Sequence, residues 1–578
     1  MSAQGLRASV AGLAGLPQGG AGVIPDLTAA AFIGAGFGLL FRYQPLAYAA
    51  TISSGVLYGL LWWILGPLTL APLLAGRGPT WTLPEASAAL PSLVGHVVFG
   101  AITGLAFYVF VAAYVRRHSE RTPVPDAPVP TTQIVILGGG FGGVSAAQRL
   151  EQLLARRPST SIVLVSQSNY LLFTPMLAEV ASSGLEAQHI SAPVRAALPH
   201  TRFLRGEVEA IDVGGRTVTV RESASATAEM LPYDHLILAL GSVPNFYGLP
   251  GLAQHAFTLK TLDDATRLRN HIIGLLEAAD VERDEKRRRD LLTFVVAGGG
   301  FAGTEMVAEL FDLVHGVLRY YPRVTPGEAR FILVHSGARI LPEISPALAE
   351  YAQRRLAARG IEFLLNARVA GASADGVRLS GQRRLPTRTL VWTAGNQPHP
   401  LLGTVPCDHA SSGAVVADAT LRVDGLERVW AVGDCAQIPD LNAEGRPCPP
   451  TAQHALRQGQ VAAENVGAVL AGRAARPFRF RTIGTLVALG HRTAVAEIRG
   501  WKFSGFLAWL MWRTVYLSKL PGLEKKVRVA LDWAIELFFP RDIVLTGSGP
   551  TPTLAQTIGA QRDETAPVAS AGPEEGRA

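Results

Sequence analysis

The sequence predicts an α/β protein with two Rossmann-like dinucleotide-binding domains, preceded by a helical transmembrane module and followed by C-terminal amphipathic helices. Three observations predict it. "IVILGGGFGGVSAAQRL" at 134–150 runs from strand-like apolar residues through a glycine cluster into a helical pattern, and "FVVAGGGFAGTEMVAEL" at 294–310 repeats that order. Ahead of both lie three apolar stretches, "LTAAAFIGAGFGLLF" (27–41), "LAYAATISSGVLYGLLWWILG" (46–66) and "LPSLVGHVVFGAITGLAFYVFVAAYV" (90–115). At 578 residues the chain is too long for one core, so these blocks fall into separate domains.

Composition narrows the class further. The formal net charge is +7, yet no compact Lys/Arg stripe with interleaved aromatics occurs. The excess therefore points to an anionic membrane surface and away from nucleic acid. The three cysteines, Cys407, Cys435 and Cys448, form neither a disulfide framework nor a CxxC pair, and no metal-ligand spacing stands out.

Taken in order, residues 1–121 form the membrane module. The stretches 46–66 and 90–115 are each long enough to cross about 30 Å of hydrocarbon, and 27–41 is a shorter third span. "GAGFG" and "GAITG" place small residues where helices can approach closely. His96, the ionisable residue within 90–115, is read as a packed neutral histidine. "RRHSER" (116–121) closes that span and, by the positive-inside rule, sets the rest of the chain in the cytoplasm. The reading is a multi-pass protein of the cell (inner) membrane; a signal peptide is the alternative for the first stretch. "TPVPDAPVPTT" (122–132) is an extended Pro-rich linker. Residues 133–260 and 261–400 hold the two glycine units, 401–475 returns to the first, 476–547 is a membrane-interface segment, and 548–578 is a disordered tail.

Each glycine loop has a physical purpose. In Gly138-x-Gly140-x-x-Gly143 and Gly298-x-Gly300-x-x-Gly303 the first glycine makes the turn and the second lets backbone approach a pyrophosphate. The third packs helix on strand, and the helix N-terminus faces the phosphate charge. Two such loops, each between a strand and a helix, imply two bound dinucleotides. "VWAVGDCAQIPD" (429–440) puts Gly433-Asp434 at the end of an apolar strand, ahead of the amphipathic "PPTAQHALRQGQVAAENV" (449–466). A carboxylate there can accept from ribityl hydroxyls while the helix start aims N–H groups at a flavin.

The order "ILGGGFGG", "YDHLILALGSVPN" (233–245), "VVAGGGFAGTE", "LVWTAGNQP" (390–398) and "VWAVGDCA" resembles the two-dinucleotide-binding-domain flavoproteins. "NYLLFTPMLAEVASSGLE" (169–186), "PPTAQHALRQG" and the Trp-rich tail narrow the resemblance to type II NADH dehydrogenases, single-chain NAD(P)H:quinone oxidoreductases. It covers about 133–545 and leaves the membrane module outside. The resemblance implies that Gly138, Gly140, Phe141, Gly142 and Gly143 hold the FAD pyrophosphate, with Ser166 and Gln167 at the end of the second strand. Gly433, Asp434 and Ala452 then serve the flavin's ribityl chain and ring. Gly298, Gly300, Phe301, Ala302 and Gly303, with His335, Arg339 and Gly395, are assigned to NAD(P)H. Glu305 and Gln453 are the implied catalytic pair, and Gln453, Arg457 and Gln458 face the quinone.

Alternatives stay open at several of these positions. Glu305 also reads as a first-turn helix acid stabilised by the dipole. His335 stands where a Rossmann unit expects an acidic ribose ligand; with Arg339 it could instead pair with a 2′-phosphate, leaving NADH and NADPH both open. Gln453 suits a quinone carbonyl or a cap on the flavin site, and Arg457 replaces a glutamine common in the family. "WKFSGFLAWLMWRTVYLSKLPGLEKKVRVALDWAIELFFPRD" (501–542) carries aromatics and lysines suited to membrane lipid, although the same helix could pack on the flavin domain or on a homodimer partner. The acceptor expected is a quinone. A ferredoxin-type acceptor, or a redox sensor controlling the membrane module, are the competing functions.

Overall fold

The structure, a computed structural model, describes residues 31, 33–39, 48–76, 78, 88–118, 131–155, 157, 159–222 and 228–545. Residues 119–121 of "RRHSER", 122–130 of the linker and the tail at 548–578, together with 27–30, 32 and 40–41 of the first apolar stretch, lie outside the described residues.

Two long apolar helices come first, α1 (Tyr48–Leu65) and α2 (Leu90–His118). The first runs on through a π-helical turn at Gly66–Leu70 and a last turn at Ala71–Leu74, past the expected end at 66. Pro67 and Pro72 explain the irregular turn: each lacks the N–H that an α-helix would use. Among the described residues, Thr51–Leu73 and Pro91–Tyr114 are the two helices long and apolar enough to cross a membrane. The helices meet through glycine. A Cβ on Gly55 would overlap the carbonyl of Gly100, and one on Gly59 would overlap that of His96. No larger residue permits this approach. The described part of the third expected span is a short helical piece whose Phe37 ring lies 5.3 Å from Tyr58 and 5.5 Å from Phe107. His96 is tied to its own helix, its Nδ1 lying 2.8 Å from the Ser92 carbonyl.

Two parallel sheets come next, built alike. In the first, the strands run 429–431, 235–238, 132–137, 160–166 and 202–212, with an antiparallel extension through 217–222 and 228–232. In the second they run 256–257, 389–392, 293–297, 330–334 and 361–364. Each glycine strand is the middle one, where strand order reverses, so each glycine loop opens into the crevice that such a sheet offers a ligand. The helices after the loops are α3 (Phe141–Leu154) and α4 (Phe301–Val317). The second sheet begins at Ala256, ahead of the boundary expected at 260. The chain crosses between the sheets twice, and the crossings Ser242–Pro244 and Asn396–Pro398 pair antiparallel.

The remaining chain bridges the two units. Helix α5 (Ala452–Leu470) lies on α3, so close that a Cβ on Gly459 would strike the Gly142 carbonyl. A three-stranded antiparallel sheet, 484–488, 494–498 and 501–505, leads into α6 (Phe506–Lys519) and α7 (Leu523–Glu536). Beneath them Arg541 reaches inward. Its Nη2 lies 2.8 Å from Glu309 Oε2 and 2.7 Å from Glu536 Oε1, and its Nη1 donates to the carbonyls of Ser182 and Glu309, both at 3.2 Å. The side chains of Arg541 and Glu309 are 10% and 6% exposed.

Arg541→Leu should cost about 3–5 kcal/mol, the penalty of leaving a buried charge without its partner. Denaturant unfolding followed by circular dichroism measures it. A loss below about 1 kcal/mol, typical of a solvent-exposed pair, would contradict this burial.

Candidate active site

The first loop leaves the strand Thr132–Leu137 through Gly138, at φ +111°, whose N–H donates to the Val165 carbonyl at 2.8 Å. Only glycine fits there, because a Cβ would run into the carbonyl of Ala239. Gly143 sits against the Gly138 carbonyl, and a Cβ on Gly142 would come within 2.9 Å of Val432 Cγ2. Gly140 differs: no atom lies within 4 Å of where its Cβ would stand. Three glycines thus set the turn and the helix packing, while the fourth leaves a backbone cradle at the N-terminus of α3. This is the shape and polarity a pyrophosphate requires, and the residues fit FAD. Ser166 Oγ closes the loop from below, 2.6 Å from the position of a Cβ on Gly139. Gln167 comes after it, exposed, its carbonyl accepting from Arg205 Nε at 3.3 Å.

Asp434 lies at the other end of this crevice. Its Oδ2 accepts from Ser242 Oγ at 2.8 Å, and the same hydroxyl accepts from Lys260 Nζ at 3.1 Å. Gly433, at φ +75°, donates its N–H to Gln458 Oε1 at 2.8 Å. Gln458, expected to face the quinone, is 2% exposed, with its amide oxygen accepting from the Gly433–Asp434 turn. Ala452 opens α5, one residue after the Thr451 N-cap.

The second loop repeats the first. Gly298 has φ +117° and donates to the Val334 carbonyl at 2.9 Å. A Cβ on Gly303 would come within 2.6 Å of Thr393 Oγ1, whereas at Gly300 the nearest atom is the end of a flexible side chain, Glu343 Oε1, at 3.3 Å. Phe301 and Ala302 begin α4 directly behind this opening. The His335 ring lies under the loop, where Nδ1 accepts from the Gly299 N–H at 3.1 Å. That bond needs neutral imidazole, and burial lowers the His335 pKa against the pull of Glu343. Arg339 donates to the carbonyls of Leu341, Pro342 and Ile344 at 3.4, 3.1 and 3.1 Å. Both side chains thus have protein partners that brace the loop. Gly395 is covered by Tyr247, whose hydroxyl would lie 2.5 Å from an added Cβ.

Glu305 is the fifth residue of α4, just past the first turn in which the sequence reading put it. Its Oε1 accepts from the Ala488 N–H at 3.0 Å. Desolvation pushes its carboxyl up to about 8, and the Ala488 N–H and the Trp512 side chain only partly offset that. Tyr516, whose pKa is raised by burial and by Glu305, completes this wall. Gln453 donates from Nε2 to the Gly484 carbonyl at 3.1 Å. One strand, Gly484–Ala488, thus ties Gln453 at its start to Glu305 at its end, about 13 Å apart at the rise of a β-strand. Arg457 is turned aside, its guanidinium 4.0 Å from the centre of the Phe480 ring and its Nη1 donating to the Gln453 carbonyl at 3.0 Å.

Residues 132–459 match the pyridine nucleotide-disulphide oxidoreductase family, and 483–542 match the NDH2 C-terminal domain. The chain is 32% identical to the type II NADH:quinone oxidoreductase NdhA of Mycobacterium tuberculosis, over 71% of this chain and 88% of that one. The chain belongs to the type II NADH:quinone oxidoreductase family. It is also 33% identical to the demethylphylloquinone reductase NdbB of a Synechocystis strain, over 69% of this chain and 95% of that one. Among solved structures, NDH2 of Plasmodium falciparum in complex with NADH superposes with a TM-score of 0.67 at 19% identity, covering 72% of this chain and 99% of that one, a likeness of fold. The apolar helices α1 and α2 precede both family matches.

Sequence reasoning missed Lys260, Ser242, Thr393, Glu343 and the Trp512–Tyr516 wall. Ser242 lies within a stretch that carried the family resemblance, but its partner Lys260 sits in "FTLKTLDDA", which has no motif.

Gly140→Val should fold yet retain no FAD, because the added side chain meets no protein atom and fills the cradle instead. Gly143→Val should fail to fold, since its Cβ must displace backbone. Visible flavin absorbance and circular dichroism separate the two, and a fully yellow Gly140→Val protein would remove FAD from this loop.

Proposed function

We infer that this chain oxidises NAD(P)H and reduces a quinone through FAD, with 133–255 and 401–475 holding the flavin and 256–400, from the first strand of the second sheet on, the nicotinamide nucleotide. The observation that carries the reading is the strand Gly484–Ala488. It draws Gln453, from the flavin side, and Glu305, from the nucleotide side, onto one edge beneath the C-terminal helices. FAD, when bound, accepts a hydride from the nucleotide and passes electrons on singly or in pairs, chemistry that no side chain here supplies.

The chain's own residues bind, shield and supply protons. The two cradles at Gly140 and Gly300 fix the pyrophosphates, and Asp434 offers an acceptor to the ribityl hydroxyls. Phe141, Phe173, Tyr516 and Trp512 form a run of ring contacts with centroids 5.9, 6.1 and 4.7 Å apart, which keeps water from the interior between the two units. Quinone reduction consumes two electrons and two protons. Glu305 holds a proton on its carboxyl at neutral pH, because its pKa of about 8 lies above that of the solution. It is the general acid of the proposal, and Gln453 Nε2 is the hydrogen-bond donor for a quinone carbonyl.

The acceptor side faces the membrane in this reading. Helix α7 lies against α1, and Leu531, Ile535, Phe538 and Phe539 are exposed along and just beyond it. A quinone dissolved in the bilayer would enter from this face, with α1 and α2 spanning the cell membrane and the flavin domains on its cytoplasmic side.

Glu305→Gln should slow oxidation of the pre-reduced enzyme by a short-chain quinone about a hundredfold at pH 7, as expected for one general acid. Reduction by NADH should change less than threefold, by the same criterion of residues that act in one step only. The acid form prevails below its pKa, so the parent's rate with quinone should fall as pH rises through about 8. The variant should lack that limb in a stopped-flow pH series; a limb that persists would assign the proton to another group.

The full chain should remain in membranes washed with alkaline carbonate. A chain lacking residues 1–121 should come off in carbonate yet bind anionic vesicles in a salt-sensitive way through 501–542. Release of the full chain by carbonate would contradict the transmembrane reading.

A further inference from the structure

Lys260 has no part in the chemistry proposed for Glu305 and Gln453. It comes after the first strand of the second sheet, and its backbone N–H donates to Asp264 Oδ2 at 2.9 Å, in the capping box that starts the helix Leu262–Val281. Its backbone therefore belongs to the nucleotide unit. Its side chain does not: Nζ crosses to Ser242 Oγ at 3.1 Å, and that hydroxyl donates to Asp434 Oδ2 at 2.8 Å. The ammonium is thereby brought into the flavin crevice beside the carboxylate assigned to the ribityl chain.

Two features show that this is more than a latch between the units. First, among the described residues Lys260 has no carboxylate within ion-pair distance, and Ser242 Oγ is its side chain's one hydrogen-bond partner. An ammonium has three donors, so two remain for a ligand. Second, burial lowers the Lys260 pKa, and the charge of Asp434 opposes that shift from beyond the serine. A lysine at the protein surface would join the two units equally well and would not be desolvated in the process.

We propose that Lys260, donated by the nucleotide-binding unit, is the cation that stabilises the negative charge a bound flavin gains on reduction, and so raises the enzyme's flavin potential. The proposal rests on FAD occupying the first loop. Taking up a hydride, two electrons and one proton, turns the neutral oxidised ring into an anion with one added unit of negative charge. A fixed cation within the crevice favours that product over the starting form, and charge near the ring is one of the few levers a protein has on a flavin's electronics. Because the lysine comes from the nucleotide unit, a small shift between the two units moves the cation relative to the ring.

The test compares Lys260→Gln, which keeps a donor for Ser242 without charge, with Lys260→Arg, which keeps the charge, and with Ser242→Ala, which keeps the ammonium. The flavin potential is measured by dithionite titration against reference dyes, with neither NADH nor quinone present. Lys260→Gln should lower the equilibrium constant for reduction at least tenfold, about 30 mV for a two-electron couple, while Lys260→Arg and Ser242→Ala stay within threefold of the parent. Where a variant sheds flavin, its Kd for oxidised FAD and for dithionite-reduced FAD is measured instead. The loss in Lys260→Gln must then be at least tenfold greater for the reduced form. An unchanged potential in Lys260→Gln, or an equal loss of affinity for both forms, would overturn the proposal and leave Lys260 a link between units. A parent chain that binds no FAD would overturn instead the functional reading on which it rests.

Discussion

The guanidinium of Arg541 lies inside the protein, against Glu309 on α4 and Glu536 at the end of α7. Removing such groups from water is costly, and the pairing restores that cost only when the geometry is held. Here it is held from several directions. Arg541 also donates to the Ser182 carbonyl, Ser182 donates from its hydroxyl to Glu309, and Arg513 reaches Glu536 at 3.1 Å while lying over the rings of Trp509 and Trp533. Trp533 in turn donates to Glu179 at 3.1 Å. The cluster fastens the C-terminal helices to both the flavin-side segment around Glu179–Ser182 and the nucleotide-side helix α4. It thereby helps to seat the segment carrying strand 484–488, which bonds Gln453 at its start and Glu305 at its end.

The two crevices are nearly the same object made twice. Gly138 and Gly298 both take positive φ, +111° and +117°, and both donate to the carbonyl ending the neighbouring strand, at 2.8 and 2.9 Å. In both, the residue after the returning strand presses closely on the loop: Ala239 at the first, Thr393 at the second. They differ in what surrounds the cradle. The first is open at Gly140 and has a carboxylate and an ammonium further along the crevice, Asp434 and Lys260; the second is overlooked by Glu343 and braced by a neutral histidine. The backbone geometry is common to both loops, and the side chains around them differ.

This division explains what could be read from the chain. Both Rossmann units and the turn at Gly433 were legible because glycine spacing, strand runs and helix starts are local, each a matter of a few consecutive residues. The two long apolar helices were legible for the same reason, although the end of α1 moved to 74 where prolines convert it to a π turn. Side-chain destinations were less so. Gln458 was assigned to the quinone by resemblance; five residues beyond Gln453 along α5, more than a full turn, it is buried with its amide oxygen on the Gly433 N–H. His335 and Arg339, assigned to the nucleotide by resemblance, also brace their own loop, which no local pattern indicated. Lys260 and Arg541 had no local signal at all: their partners, Ser242 and Glu309, lie far away in sequence and are brought near only by the crossing strands and the C-terminal segment.

The distribution of cations along α4 accounts for the state of its acids. Glu305, Glu309 and Asp312 are spaced i, i+4 and i+7, on one face of the helix. Glu309 is met by Arg541 and Asp312 by Arg359. Burial raises Asp312 to about 6, with Glu309 adding to the rise and Arg359 pulling it down. Glu305 has no cation among the described residues and accepts one backbone N–H, from Ala488. Burial therefore carries it further, to about 8. Three carboxyls on one helix face cannot all carry charge in a shielded interior, and the two arginines decide which of them does not need to. The acid left without a cation is the one that touches the strand leading to Gln453, so Arg541 and Arg359, by pairing with its two neighbours, leave burial to dominate at Glu305.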